Sequence, residues 1–261
     1  MTRPSPSIAV PVIPTRFDTV DALRGLAMVW MTAFHFCFDL NQFGYLRLDF
    51  YRDPVWTWQR TLILSLFLFL FCAGLGQAIA VAQGQSWPRF WRRWAQLVAC
   101  ALLVSVGSWL MYPQSFIYFG VLHGMALMLI VARLTTRWGG WLGAAGAMAI
   151  AIKFIAIYAM ATWTTAQFID IFNSPWLNWL GFITRKPITE DYVPLLPWLG
   201  VMWWGVAAGA WLSRQRGVYF TRPLPAALKP LASLGRWSLS YYMLHQPVMI
   251  GILMAVGWFA S

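Results

Sequence analysis

Residues 140–162 read GWLGAAGAMAIAIKFIAIYAMAT, with Lys153 as the single charge. A helix of that length crosses a hydrocarbon core ~30 Å thick, which takes about 20 residues. Comparable apolar runs occupy 20–39, 57–82, 92–112, 116–134, 192–212 and 236–259. Together they predict an all-α, polytopic transmembrane helix bundle of about seven spans. Composition agrees: 60% of the 261 residues are hydrophobic and only 10% are charged, against roughly 25% charged in a soluble domain. The polar connections are too short for a core of their own. The chain therefore reads as one membrane domain over 17–261, preceded by a disordered cytoplasmic segment, 1–16. Pro4, Pro6, Pro11 and Pro14 in that segment would break the apolar helix of a cleaved signal.

The net charge of +11 is distributed unevenly. One set of connections holds Arg3, Arg16, Arg89, Arg92, Arg93, Arg133, Arg137, Arg214, Arg216, Arg222, Lys229 and Arg236. The other holds Arg47, Arg52, Arg185 and Lys186, diluted by Asp39, Asp49, Asp53, Asp170, Glu190 and Asp191. The basic set belongs in the cytoplasm, which puts the N-terminus in and the C-terminus out. The expected location is a bacterial inner membrane, with the lipid bilayer as the principal partner. No basic groove with interleaved aromatics marks nucleic acid. The 18 Trp suit interfacial belts. Cys37, Cys72 and Cys100 lie inside predicted spans without CxxC spacing and read as small apolar filler. No metal site is expected. The stretch 163–191 reads as an amphipathic helix lying on the outer surface, or as a lid.

Ionisable groups at membrane depth are costly and mark function. The first span carries Asp18, Asp21, Arg24, His35 and Asp39. Arg24 and His35 are eleven residues apart, almost three turns, so both project from one face about 16 Å apart. His35 and Asp39 are i,i+4 neighbours, a spacing at which a carboxylate can orient an imidazole. The plainer reading is that Arg24 snorkels and His35 bonds to a neighbouring helix. His123 and His245 also fall inside spans, and Gln246-Pro247 follows His245 at a loosened point of the ladder. Asp191 stands at the outer start of the sixth span, as an N-cap or as part of an outer mouth. Arg60 stands at the outer start of the second. Walker A, GxGxxG and GxSxG motifs are missing, so any chemistry falls to histidines and carboxylates.

The opening Arg16-Phe17-Asp18-Thr19-Val20-Asp21-Ala22-Leu23-Arg24-Gly25, followed by His35, resembles the first helix of the transmembrane acyltransferase superfamily. Phe119-Gly120-Val121-Leu122-His123, Asp191-Tyr192-Val193-Pro194-Leu195-Leu196-Pro197-Trp198-Leu199-Gly200 and Ser240-Tyr241-Tyr242-Met243-Leu244-His245-Gln246-Pro247 resemble a narrower branch. That branch is the DUF1624 proteins, grouped with the catalytic domain of heparan-alpha-glucosaminide N-acetyltransferase. The resemblance runs from Arg16 to about Pro247. It implies acetyl transfer from cytoplasmic acetyl-CoA, without a metal, to an extracytoplasmic glycan or small-molecule acceptor, on an amine or hydroxyl. On this reading Arg24 and Gln246 contact the acyl-CoA, and His35 with Asp39 serves as base. His245 or His123 then assists the thioester, while Asp191 and Arg60 line the acceptor mouth. Membrane-plane homodimers would be unsurprising. A proton-coupled small-molecule transporter or permease is the alternative, with the histidines as a relay, although no internal repeat supports it. A non-catalytic scaffold gives no reason for three histidines at depth.

Overall fold

The structure, a computed structural model of the chain, describes residues 17–49, 53, 63–163, 165–214 and 223–260. Nine α-helices occur among the described residues: α1 (Asp18–Gln42), α2 (Ile63–Ala82), α3 (Trp87–Met111), α4 (Val121–Thr135), α5 (Trp141–Trp163), α6 (Ala166–Asn173), α7 (Leu195–Arg214), α8 (Lys229–Arg236) and α9 (Ser238–Ala260). Three single 3₁₀ turns lie between them, and no strand occurs among the described residues. Each of the seven apolar windows contains a helix. Four helices are long and apolar enough to cross a membrane: Trp87–Met111, Trp141–Trp163, Leu195–Arg214 and Ser238–Phe259. The remaining three differ in composition or length. The first helix carries Asp18, Asp21, Arg24 and Asp39, the second is apolar over Phe67–Ala82, and α4 has only 15 residues.

The shifts from the predicted boundaries have local causes. The fourth window opens at 116, yet α4 begins at Val121, because the preceding backbone is extended and Phe119 bridges Tyr192. In the sixth, Leu196 keeps non-helical angles (φ −103°, ψ 133°). The ring of Pro197 pushes the residue before it out of the helical region. The last window corresponds to α9, and the short α8 precedes it, ending at Arg236. The stretch 163–191 contains the short helix α6, with Phe168 and Ile171 exposed.

The packing order is α5 against α7, α7 against α2, and α2 against α1, with α8 and α9 also packed on α1 and α9 reaching α3 and the central core through Leu239, Tyr242 and Met243. Helices approach this closely in lipid where small residues let backbones meet. A Cβ on Gly25 would strike the carbonyl of Leu231, and one on Gly235 would strike that of Asp21, so α1 and α8 cross glycine to backbone. Gly146 and Gly200 bring α5 and α7 together in the same way. Tryptophan does more than the expected interfacial anchoring. Trp94 Nε1 donates to the Ala126 carbonyl at 2.9 Å, Trp203 Nε1 to Thr135 Oγ1 at 3.0 Å, and Trp204 Nε1 to the Gly143 carbonyl at 3.0 Å. These indoles tie α3 to α4 and α7 to α4 and α5, because an N–H in hydrocarbon must find an acceptor.

The fully buried side chains are mostly apolar, among them Leu70, Leu122, Met128, Leu142, Met202 and Val206, with Asn178 the polar exception among the described residues. Large apolar side chains also face outward, including Leu103, Leu110, Phe154, Ile155 and Trp163. Water would penalise that surface, whereas lipid does not. Arg133 is buried with its needs met. Its Nη1 donates to Gln85 Oε1 at 3.3 Å, and its guanidinium lies 5.0 Å from the Trp87 ring centroid.

Candidate functional site

Two of the three histidines meet between α1 and α9. The His35 and His245 rings lie 5.3 Å apart, centroid to centroid, at 61°. His245 Nδ1 stands 2.7 Å from the carbonyl oxygen of Tyr242. A carbonyl can only accept, so Nδ1 carries the proton and the neutral ring keeps its lone pair on Nε2. That Nε2 is buried without a hydrogen-bond partner. The Tyr241 ring stacks on the same imidazole at 5.9 Å and 11°, and its hydroxyl meets Thr32 Oγ1 of α1 at 2.7 Å. Thr32 Oγ1 also donates to the Met28 carbonyl, so Tyr241 supplies the hydrogen in the contact between them.

Beside the paired imidazoles, Gln246 Nε2 donates to Asp39 Oδ1 at 2.8 Å. The i,i+4 spacing of His35 and Asp39 suggests a pair, yet the carboxylate takes its partner from α9 instead. Asp39 Oδ2 and Gln246 Oε1 are buried and unpartnered. With His245 Nε2 they make three buried acceptors lacking donors in one neighbourhood. Such groups in hydrocarbon each cost free energy unless something satisfies them. The arrangement is suited to a guest that brings N–H or O–H donors.

Arg24 lies toward the other end of α1. Its Nη1 pairs with Asp21 Oδ1 at 3.2 Å, and its Nη2 reaches the surface of α2 at Gly76. Arg236 of α8 joins this group, with Nη2 2.7 Å from Asp18 Oδ1. The Arg24 side chain keeps 23% of its exposure, so the guanidinium has donors to spare. Between Arg24 and His35 the same stripe of α1 is filled, since Ala27 and Met28 are each only 1% exposed. Arg24 and His35 therefore share a face, as the spacing requires, with methionine packing rather than an open channel between them.

His123 is placed differently. Ser105 Oγ donates its one hydrogen to the Ile117 carbonyl at 2.7 Å, so it can only accept from His123 Nε2 at 3.0 Å. Nδ1 then accepts from the Gly120 N–H at 3.3 Å. Both ring nitrogens are engaged, and the ring caps the first turn of α4. Asp191 serves the same turn, accepting from the Val121 N–H at 2.7 Å. A Cβ on Gly120 would collide with that carboxylate, which accounts for glycine there. Burial pushes the Asp191 carboxyl above the usual range, partly offset by the Val121 N–H and the charge of Lys186. Nearby, Asn178 Nδ2 donates to the Tyr118 hydroxyl at 2.6 Å, and the Tyr192 hydroxyl donates to the Asn178 carbonyl at 2.6 Å. Burial raises both phenols.

The structure thus brings together His35, Asp39, His245 and Gln246, with Arg24 toward the other end of α1 and His123 and Asp191 bonded to the first turn of α4; Tyr242, whose ring lies 5.6 Å from that of His245, is within electrostatic reach of Asp191. Arg60 lies outside the described residues. Sequence reasoning passed over Thr32, Tyr241, Tyr242 and Ser105, which hold the imidazoles. The Tyr241-Tyr242 pair one turn before His245 was the available signal, since i−3 and i−4 neighbours share a helix face. An open groove of about 500 Å³ between α8 and α9 has Tyr241 in its wall.

Comparison with known families finds one match over most of the chain. The family described as heparan-alpha-glucosaminide N-acetyltransferase, catalytic, matches residues 16–247. No curated protein and no solved structure matches.

Proposed function

The chain belongs to the heparan-alpha-glucosaminide N-acetyltransferase catalytic family, and from that premise we propose that it moves an acetyl group from cytoplasmic acetyl-CoA to an amine or hydroxyl of an extracytoplasmic sugar. It does so as a seven-span bundle of a bacterial inner membrane, N-terminus in and C-terminus out. The observation that carries this reading is the His245 Nε2 lone pair, buried and unpartnered beside His35.

In the proposed reaction the acceptor nitrogen or oxygen attacks the thioester carbonyl carbon. His245 Nε2 takes the acceptor proton as the new bond forms. The imidazolium is stabilised through Nδ1–H by the Tyr242 carbonyl, much as an orienting group stabilises a catalytic histidine elsewhere. The carbon–sulfur bond then breaks, and the same proton is delivered to the coenzyme A sulfur, leaving the ring neutral. His35 adjoins this path and polarises the thioester carbonyl. Asp39 Oδ2 and Gln246 Oε1 accept from the hydroxyls or amine of the acceptor and fix its approach. Direct transfer and an acyl-histidine route use the same two rings.

The donor binds by its phosphates at the basic end, where Arg24 offers guanidinium donors not taken by Asp21. Its thin pantetheine arm must displace the Met28 packing to reach His35. Methionine suits that task, because its unbranched thioether chain changes rotamer at small cost. His123 and Asp191 hold the outer start of α4 in position and touch neither reactant.

The test uses the full chain in proteoliposomes, with labelled acetyl-CoA on one side and glucosamine on the other. The expected result is labelled N-acetylglucosamine from the wild type and formation slower by about 10²–10⁴-fold from His245→Ala or His35→Ala, with acetyl-CoA binding retained. Full turnover in the double variant would remove both rings from the mechanism. A transporter of an unrelated solute would bind no acetyl-CoA. Acid-quench trapping of a single turnover separates an acyl-histidine from direct transfer.

A further inference from the structure

A second cavity, of about 440 Å³, opens at the ends of α5 and α7 remote from Asp191. Arg137, Gly139 and Trp141 line it from the α4–α5 connection, and Arg214 lines it from the last turn of α7. Neither guanidinium makes an ion pair or hydrogen bond with any described residue, unlike Arg24, Arg185 and Arg236. Gly139 holds φ +55°, and a Cβ there would lie 2.8 Å from Arg214 Nη2. The turn thus lets the guanidinium settle against bare backbone in the wall of the cavity.

We propose that this cavity binds the phosphate headgroup of an anionic phospholipid. Two unpaired guanidiniums facing one space form a fork–fork receptor for a phosphodiester. Trp138 and Trp141 flank the opening and are exposed, as indoles are at the headgroup level. Below them Met148, Ile152 and Ile155 follow Trp141 at 7, 11 and 14 residues, one stripe of α5, and all three are exposed. An acyl chain can lie along that stripe while its phosphate sits between the arginines. A nucleotide phosphate fits less well. The cavity is lined from the α4–α5 connection, the start of α5 and the end of α7, whereas the histidines lie between α1 and α9, neither of which contributes to its wall. The lipid would pin the α5–α7 edge of the bundle at the interface.

The proposal is tested with the full chain in mixed vesicles of phosphatidylcholine and phosphatidylglycerol, followed by native mass spectrometry of retained lipid. The wild type is expected to keep phosphatidylglycerol over phosphatidylcholine. The variant R137Q/R214Q should lose that preference by about thirtyfold, about fivefold for each guanidinium at an anionic surface. The variant R89Q/R92Q removes the same charge from α3 and should retain it. Three outcomes would overturn the assignment. One is undiminished preference in R137Q/R214Q, and another is equal loss in R89Q/R92Q. The third is displacement of phosphatidylglycerol by inorganic phosphate or coenzyme A at the same site. The readout does not depend on acetyl transfer, so it stands or falls apart from the enzymatic reading.

Discussion

Gln246 of α9 donates to Asp39 of α1 across the helix interface at 2.8 Å, although 207 positions separate them in the chain. This bond joins the first and last long helices beside the paired imidazoles. Gln246→Ala leaves Asp39 buried with neither oxygen bonded. Loss of about 1–3 kcal/mol of stability is expected, read as a lower thermal unfolding midpoint in detergent. Gln246→Glu should be worse, because two carboxylates then face each other in low dielectric.

The histidines should separate by phenotype. His245→Ala removes the only ring with an unengaged buried lone pair, and turnover should fall about 10²–10⁴-fold with acetyl-CoA binding retained. His123→Ala removes a ring whose two nitrogens serve Ser105 and Gly120. It should cost about 1–2 kcal/mol of stability and leave turnover per folded molecule near wild type. Parallel measurement of turnover and thermal midpoint checks both. A fully active His245→Ala, or an inactive but stable His123→Ala, would exchange their roles.

Asp191 makes stability depend on pH. Burial raises its folded-state carboxyl above the unfolded value. Between those two values the folded state holds more protons than the unfolded state, so its contribution to stability falls as pH rises. Asp191→Asn keeps an oxygen to accept from Val121 N–H but removes the titration. The thermal midpoint of the variant should therefore decline less than that of the wild type as pH rises above the ordinary carboxylate range. Parallel curves would assign the dependence to another group.

The α1–α8 crossing should be intolerant of a single methyl. Gly235→Ala puts a Cβ against the Asp21 carbonyl. A cost of about 1–3 kcal/mol is expected from forced separation of the backbones. Gly251→Ala in α9 meets nothing within 4 Å and should be neutral or slightly stabilising through helix propensity. Thermal midpoints of the two variants test the contrast.

Much of the architecture was legible in the chain. Apolar runs near 20 residues announce helices in lipid because the bilayer leaves the backbone no other way to satisfy its polar groups. The runs at 140–162 and 192–212 therefore correspond closely to α5 and α7. The boundaries missed by the sequence reading are those where tertiary contacts compete with helix formation. Val121 starts α4 late because Phe119 is taken up by Tyr192, and the short α8, which packs along α1, falls in the connection before the last run.

The site was half legible. Spacing alone puts Arg24 and His35 on one face, since helical geometry is local and fixed. Spacing also suggested Asp39 as the partner of His35, and there it misled. A side chain in a bundle bonds to whichever helix faces it, and that choice depends on packing among residues far apart in sequence. Glycines at positions 25 and 235 bring α8 onto α1, and α9 then delivers Tyr241, His245 and Gln246 to the C-terminal half of the same helix. The amino-acid sequence by itself determined a helical membrane protein, its family and its candidate histidines, because hydropathy, helical period and residue identity are properties of short stretches. Only the tertiary structure decided that His245 keeps a free lone pair while His123 spends both nitrogens on its neighbours, because hydrogen-bond partners are set by which surfaces meet.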